Sequence, residues 1–283
     1  MLDAPGTTKW LPVCDGEIEY FEQGTGDALL LVHAGVFADW FAPMAAGPTL
    51  DGFRVIRVRR AGYGPNAPKH PLTLPEHADH LRALADFLQI KSLHLVGHSL
   101  SGLIAMQLAS DHPELIRSMV LLEPAPCGPL QVPAFAEFAE RYATPAMQAF
   151  AAGRLEDAYD TFMRGMCGAQ HREVIEHSMG KPAYERIVRE SSVFFRDEVP
   201  AAIQWTLGAA QIARIRQAVL IVEGSESSRQ GSISGQVSES AKALLPQAEF
   251  VMIEGVNHMM PVQDPDGVGR VIAAFARRHP IVD

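Results

Sequence analysis

The sequence predicts an α/β protein: a mostly parallel central sheet flanked by helices, with a helical insertion between two of its later strands. Three observations predict it. Short, nearly continuous apolar runs alternate with longer helical patterns, the signature of strands buried on both faces. That rhythm breaks between about residues 124 and 217, where helical patterns follow one another without a strand. The chain has 283 residues and is 47% hydrophobic, enough to bury one large core.

The elements follow in order. "EIEYFEQG" (17–24) alternates and ends in glycine, so it reads as an antiparallel edge strand. "ALLLVH" (28–33), "RVIRV" (54–58), "LHLVG" (93–97), "SMVLLE" (118–123), "AVLIVE" (218–223) and "EFVMIE" (249–254) read as buried strands. Helices are expected over 74–90, 100–113, 234–246 and 264–279. The strandless stretch holds "AFAEFAERYA", "RLEDAYDTFMRGM", "HREVIEHSM", "PAYERIVRESSVFF" and "PAAIQWTLGAAQIARI". The organisation expected is a core formed by 1–124 and 218–283, with a helical lid over 125–217 at the carboxyl edge of the sheet, where α/β proteins bind ligands. A second independent domain is the alternative. Phe135, Phe138, Met147, Phe162, Met163, Phe194, Phe195 and Trp205 are candidates to line an apolar pocket there, and helix-to-helix packing is the simpler use for any one of them.

Composition narrows the function. Against 33 acidic residues stand 24 Lys and Arg, for a net charge of −9, with no basic run. Nucleic acid is therefore not an expected partner. No apolar stretch is long enough to span a bilayer, and the N-terminal "MLDAPGTTKWLPVCDG" lacks the layout of a signal peptide. Cys14, Cys127 and Cys167 form no metal or redox motif, and an unpaired set suits a reducing cytoplasm. No phosphate loop or dinucleotide fingerprint is present, so no cofactor is expected. His70, His77 and His80 lie close together but read as the polar first turn of a helix rather than a metal site. His94 reads as a residue of a strand face, and Arg59 and Arg60 as ion-pair partners, a substrate carboxylate being the alternative.

The chemistry concentrates in "LVGHSLSGLIA" (95–105). A strand runs into Gly97-His98-Ser99-Leu100-Ser101 and then a helix, a turn that lifts the Ser99 hydroxyl above the sheet. Ser101 replaces the usual second glycine with another small residue. The helix start beyond Ser99 offers unpaired N–H groups, with that of Leu100 placed to meet an oxyanion. "LLLVHAGVFADW" ends a buried strand in His33-Ala34-Gly35, and "IEGVNHMMPVQDPDGV" places His258 after the last strand.

Together with "RRAGYG" (59–64), "GHSLSG" and "NHMMPVQDP", these motifs make the chain resemble α/β-hydrolase fold enzymes of the branch holding esterases, lactonases, epoxide hydrolases and haloalkane dehalogenases. The likeness covers nearly the whole chain and is weakest over 125–217. It implies Ser99 as nucleophile, His258 as base, and an oxyanion hole of the Gly35 and Leu100 N–H groups, with Val36 the runner-up to Gly35. His98 would support the turn. A serine nucleophile, where dehalogenases and epoxide hydrolases carry Asp, favours acyl transfer on a small-molecule ester or lactone. A carbon–carbon bond hydrolase with the same triad and a non-catalytic small-ligand receptor are the alternatives.

One position departs from the family pattern. The acid is due after "AVLIVE" as Gly-x-x-Asp, and here stands Gly224-Ser225-Glu226-Ser227. Serine cannot hold an imidazolium as a carboxylate does. Glu123, ending the strand "SMVLLE", is the favoured acid, since some relatives place theirs at that strand end. Glu226, Glu223 and Asp264 are the alternatives, or no acid at all.

Overall fold

The computed structural model describes residues 8–14, 16–64, 68–229 and 233–282, the side chain of Arg229 excepted. Eight strands form one sheet: β1 Lys9–Val13, β2 Gly16–Gln23, β3 Asp27–Val32, β4 Phe53–Arg59, β5 Leu93–His98, β6 Ile116–Leu122, β7 Ala218–Gly224 and β8 Glu249–Ile253. Their order is β1-β2-β4-β3-β5-β6-β7-β8. β2 runs antiparallel to both β1 and β4, and every pairing from β4 onward is parallel.

Successive side chains of a strand point to opposite faces, and here both faces are covered. Leu30, Val32 and Leu95 pack on one side with the helices Leu74–Phe87, Leu100–Asp111 and Ile233–Leu244. Leu29, Leu31 and Val96 pack on the other with the helix Pro265–Arg278. The continuous apolar strand runs follow from this double cover. The helix Leu100–Asp111 buries every residue but its last, so its sequence shows no polar face.

Local chemistry sets the helix starts. Thr73 Oγ1 accepts the Glu76 N–H, and a Glu76 carboxylate oxygen accepts the Thr73 N–H at 2.7 Å, a reciprocal cap. Asp264 accepts the Gly267 N–H at 2.8 Å and so caps the last helix. One strand escaped the sequence reading: β1 is five residues long, only Leu11 is buried, and Pro12 interrupts it. Proline is tolerated there because β1 is a sheet edge.

Between β6 and β7 the chain forms helices and no strand. Helices Ala134–Phe138, Thr144–Ala151, Leu155–Cys167, His171–Met179, Lys181–Val193, Val199–Gln204 and Ala209–Ile212 follow one another, and wider π-helical turns occupy Ala139–Ala143 and Phe194–Glu198. Thr144–Ala151 was not anticipated, and "PAAIQWTLGAAQIARI" breaks at Trp205–Gly208 instead of forming one helix. This segment has its own apolar core, including Tyr159, Met163, Ile175, Tyr184 and Ile187, which joins Val36, Phe37 and Trp40 of the loop after β3.

Candidate active site

Ser99 sits between β5 and its helix at φ 54°, ψ −118°. Its N–H donates to Leu122 O at 2.9 Å and its carbonyl accepts from Gly102 and Ala125, which pins the turn to β6 and the loop beyond it. The turn is tight because glycine permits it. A Cβ on Gly97 would strike Ser101 O, and one on Gly102 would lie 2.8 Å from Pro124. Ser101, in the place of the usual glycine, is fully buried and donates its hydroxyl to His33 O at 2.5 Å, tying the turn to the end of β3.

Strain marks the same region. Four described non-glycine residues have positive φ, and three of them are Val36, Ser99 and Glu123, each just beyond the carboxyl end of a strand. Such conformations cost about 1–3 kcal/mol each and persist where surrounding structure imposes them, often at functional sites.

Glu123, the first residue after β6, is buried, and its Oε2 accepts the Nδ1–H of His258 at 2.8 Å. Its Oε1 accepts the Gly224 N–H at 2.8 Å, and Ser234 Oγ approaches Oε2 at 3.3 Å. With Nδ1 as the donor, His258 Nε2 is left as the proton acceptor. His98 is buried beside it, the ring centroids 4.9 Å apart, and donates Nε2–H to the His258 carbonyl at 2.9 Å. Burial, then the neighbouring His258, holds the His98 pKa well below its usual 6.5. His98 therefore stays neutral and steadies the loop that carries His258.

Ser99, Leu100, Glu123 and His258 all line one cavity of about 450 Å³. Its walls come mainly from the helical segment, with Phe135, Phe138, Met147, Phe162, Phe194, Phe195, Val199 and Ile203 among them. Two expected liners turn away: Met163 packs inside the segment, and Trp205 donates its indole N–H to Gln107 at 2.8 Å. Cys127 also lines the cavity, but burial pushes its thiol up to about 11, so it is protonated at neutral pH.

Gly35 is not among the cavity-lining residues. A Cβ there would lie 2.5 Å from Phe194 and 3.2 Å from Glu198 Oε2, so the turn after β3 is packed beneath the helical segment. Its carbonyl accepts from Phe37 N at 2.8 Å and Trp40 Nε1 at 3.0 Å.

The other candidate acids are engaged elsewhere. Glu223 accepts from Ser228 Oγ, Asp264 is the helix cap, and Glu226 is not among the residues lining the cavity. Ser227, where an aspartate was due, is buried with its hydroxyl unpaired and faces a neighbouring polar basin instead of this cavity.

Arg59 meets Asp39, Glu190 and Glu19, the first two at 3.0 Å and the last at 2.9 Å. Arg60 pairs with Glu198, fully buried, so the pair is internal and not at the surface. His77 and His80 are likewise buried, with their rings edge to face, and do not form a polar first turn. Glu198 was missed by sequence reading. The only local hint is a carboxylate set among apolar residues in "VFFRDEVP" (193–200).

These features define the class: an α/β protein that presents a serine, and a carboxylate-held histidine, at the carboxyl edge of a mostly parallel sheet. A family model described as "Alpha/beta hydrolase family" matches residues 29–271, and the chain belongs to that family. Among curated relatives it is 30% identical over 122 residues to a 2-hydroxy-6-oxo-6-phenylhexa-2,4-dienoate hydrolase of Comamonas testosteroni, covering 39% of this chain and 41% of the relative. It is 28% identical over 130 residues to a dihydrolipoyllysine-residue acetyltransferase component of an acetoin cleaving system of Cupriavidus necator, covering 44% and 34%. The chain thus spans less than half the length of these relatives. Similar solved structures include the enol-lactonase of Burkholderia xenovorans LB400, at a TM-score of 0.74, 18% identity and coverage of 94% and 99%. Est816, described as an N-acyl homoserine lactone degrading enzyme, aligns at 0.73 and 20% identity, covering 95% and 100%. At these identities the likeness is one of fold. No helix among the described residues is long and apolar enough to cross a membrane.

Proposed function

We propose that the protein is a serine hydrolase that cleaves a carboxylic ester or lactone of a small, apolar molecule through an acyl-enzyme. The observation that carries the reading is the 2.8 Å contact between Glu123 Oε2 and His258 Nδ1 in a cavity that Ser99 also lines. Glu123 fixes the His258 tautomer, and Nε2 takes the Ser99 proton as Oγ attacks the carbonyl. The Leu100 N–H at the helix start holds the oxyanion, and the Gly35 N–H, packed directly behind the cavity-lining Phe194, is its second donor. His258 then protonates the leaving alcohol, and water activated by the same imidazole releases the acid. The helices over 125–217 act as the lid, and their aromatic side chains select the substrate. The free cysteines suit a reducing, cytoplasmic setting.

The relative from Comamonas raises carbon–carbon bond hydrolysis as the rival. Among the described residues lining the cavity none is Lys or Arg, so a dienoate carboxylate would lose its water without gaining a cation. That favours an uncharged ester. A fluorophosphonate probe tests the reading. It is expected to label wild-type protein at Ser99, to leave Ser99→Ala unlabelled, and to block turnover of p-nitrophenyl esters. Folded wild-type protein that takes no label would refute the proposal and favour a ligand-binding role.

A further inference from the structure

We propose that Arg60, clamped by Glu198 of the helical segment, is a positioning residue that aims and polarises the Gly35 N–H, so that oxyanion binding depends on that segment being seated on the sheet. The inference rests on the serine hydrolase reading above.

The peptide plane carries the argument. Across a trans peptide the C=O and the following N–H point in opposite directions. The Ala34 carbonyl accepts His33 Nδ1–H at 2.6 Å and Arg60 Nη2–H at 3.3 Å. The two contacts hold the oxygen on the side of the His33 ring and the Arg60 guanidinium, and so turn the Gly35 N–H to the opposite side of the peptide. His33 Nε2 accepts the Arg60 backbone N–H at 3.1 Å, which fixes the ring as the Nδ1–H tautomer. Burial, and after it the Arg60 charge, hold the His33 pKa well below its usual 6.5, so the ring stays neutral. The next peptide is fixed as well, because the Gly35 carbonyl is taken by Phe37 N and Trp40 Nε1. A guanidinium on the Ala34 oxygen also draws electron density from the amide and makes its N–H a stronger donor.

Arg60 is itself held from the other layer. Glu198 Oε1 accepts from its Nη1, and Tyr63 donates its hydroxyl to Glu198 Oε2 at 2.7 Å. The Arg60 and Glu198 side chains are only 1% and 2% exposed. Glu198 ends the π-helical turn whose Phe194 and Phe195 line the cavity. One turn therefore faces the substrate space with its rings and the oxyanion peptide with its carboxylate.

A purely structural role makes a different prediction. Replacing a buried ion pair by apolar residues is often neutral or stabilising, so Arg60→Met/Glu198→Leu would then keep full activity. The experiment compares this double variant and Arg60→Lys with wild type. It measures kcat per fluorophosphonate-titrated site, KM for a p-nitrophenyl ester, and inhibition by a trifluoromethyl ketone, which mimics the tetrahedral intermediate. In the double variant kcat is expected to fall ~10- to 100-fold with KM within about two-fold, and inhibitor affinity to fall in parallel. Arg60→Lys keeps one ammonium for Glu198 but loses the fork that also reaches Ala34, so a smaller loss in the same direction is expected. A folded double variant with unchanged kcat and inhibitor affinity, or a loss confined to KM, overturns the proposal. If the double variant does not fold, Arg60→Lys decides by the same criteria. Absence of labelling in wild type overturns the serine hydrolase reading itself, and this inference with it.

Discussion

Glu123→Gln is isosteric, and the structure dictates why it is not silent. The carboxylate serves two N–H donors with different oxygens: Oε1 faces the Gly224 N–H and Oε2 faces His258 Nδ1–H, both at 2.8 Å. An amide has only one oxygen. If that oxygen stays on Gly224, the NH2 group faces His258 and forces Nδ1 to become an acceptor. The proton then sits on Nε2, where the base must be free. If the oxygen turns to His258, the NH2 group meets the Gly224 N–H, two donors face to face inside the protein, at a cost of about 1–3 kcal/mol. The first orientation avoids that cost and is the one expected. A wrong-tautomer base with intact geometry loses about 10⁴ in kcat in the serine-protease case, so a fall of ~10³–10⁴ is expected here. The assay is kcat for a p-nitrophenyl ester per titrated Ser99, with Glu226→Gln as the control expected near wild type. A Glu123→Gln enzyme within ten-fold of wild type, with Glu226→Gln inactive, would refute the assignment.

Two further outcomes follow from buried groups. Burial holds the imidazoles of His33, His77 and His98 well below their usual 6.5, with Arg60 adding to the first two and His258 to the third. The unfolded chain takes up protons near 6.5 that the folded chain refuses, so stability is full above that pH and falls as pH drops through it. The limiting slope is about 1.4 kcal/mol per pH unit for each histidine, or ~4 for the three together. Urea midpoints at about pH 7.5 and 5.5 check this, and equal midpoints would contradict it. Ser101→Ala leaves the buried His33 carbonyl without its hydroxyl donor and is expected to cost about 1–3 kcal/mol in urea unfolding. A loss under ~0.3 kcal/mol would show that the contact contributes nothing.

Legibility followed sequence distance. Ser99 stood out because the strand, the turn and the apolar helix that fold it are contiguous, and the helical patterns at 74–90 and 264–279 match the helices Leu74–Phe87 and Pro265–Arg278 to within a few residues. Glu123 was legible as a strand end, but its pairing with His258 joins residues 135 apart, and only the sheet order brings them together. Arg60 was visible as a charge in "RRAGYG", whereas its partner Glu198 lies 138 residues away in a segment with no strand to set its register. The same gap explains Trp205. An aromatic at helical spacing looks like a pocket wall, and its burial against Gln107 is a tertiary contact that periodicity does not encode. β1 was silent for the opposite reason: an edge strand with one buried side chain has no pattern to read.

Strand spacing explains how Ser227 and Glu123 can both stand where they do. β6 and β7 are parallel neighbours, with Leu122 opposite Val222, so their ends lie one strand spacing apart, about 4.8 Å, and an acid at the end of β6 instead of beyond β7 has to make up a distance of that order. Two features cover it. Glutamate reaches one methylene further than the aspartate due on β7, and Glu123 adopts φ 39°, a strained conformation imposed by its surroundings. β7 still contributes, because the Gly224 N–H, at the strand end where the acid was due to follow, now donates to the Glu123 carboxylate. With Glu123 already on His258 and Ser227 facing the neighbouring basin, position 227 is no longer part of the acid's machinery. Restoring the family residue by Ser227→Asp is thus expected to leave kcat for a p-nitrophenyl ester within about two-fold of wild type, and a change of about ten-fold or more in either direction would show that this position still reaches His258.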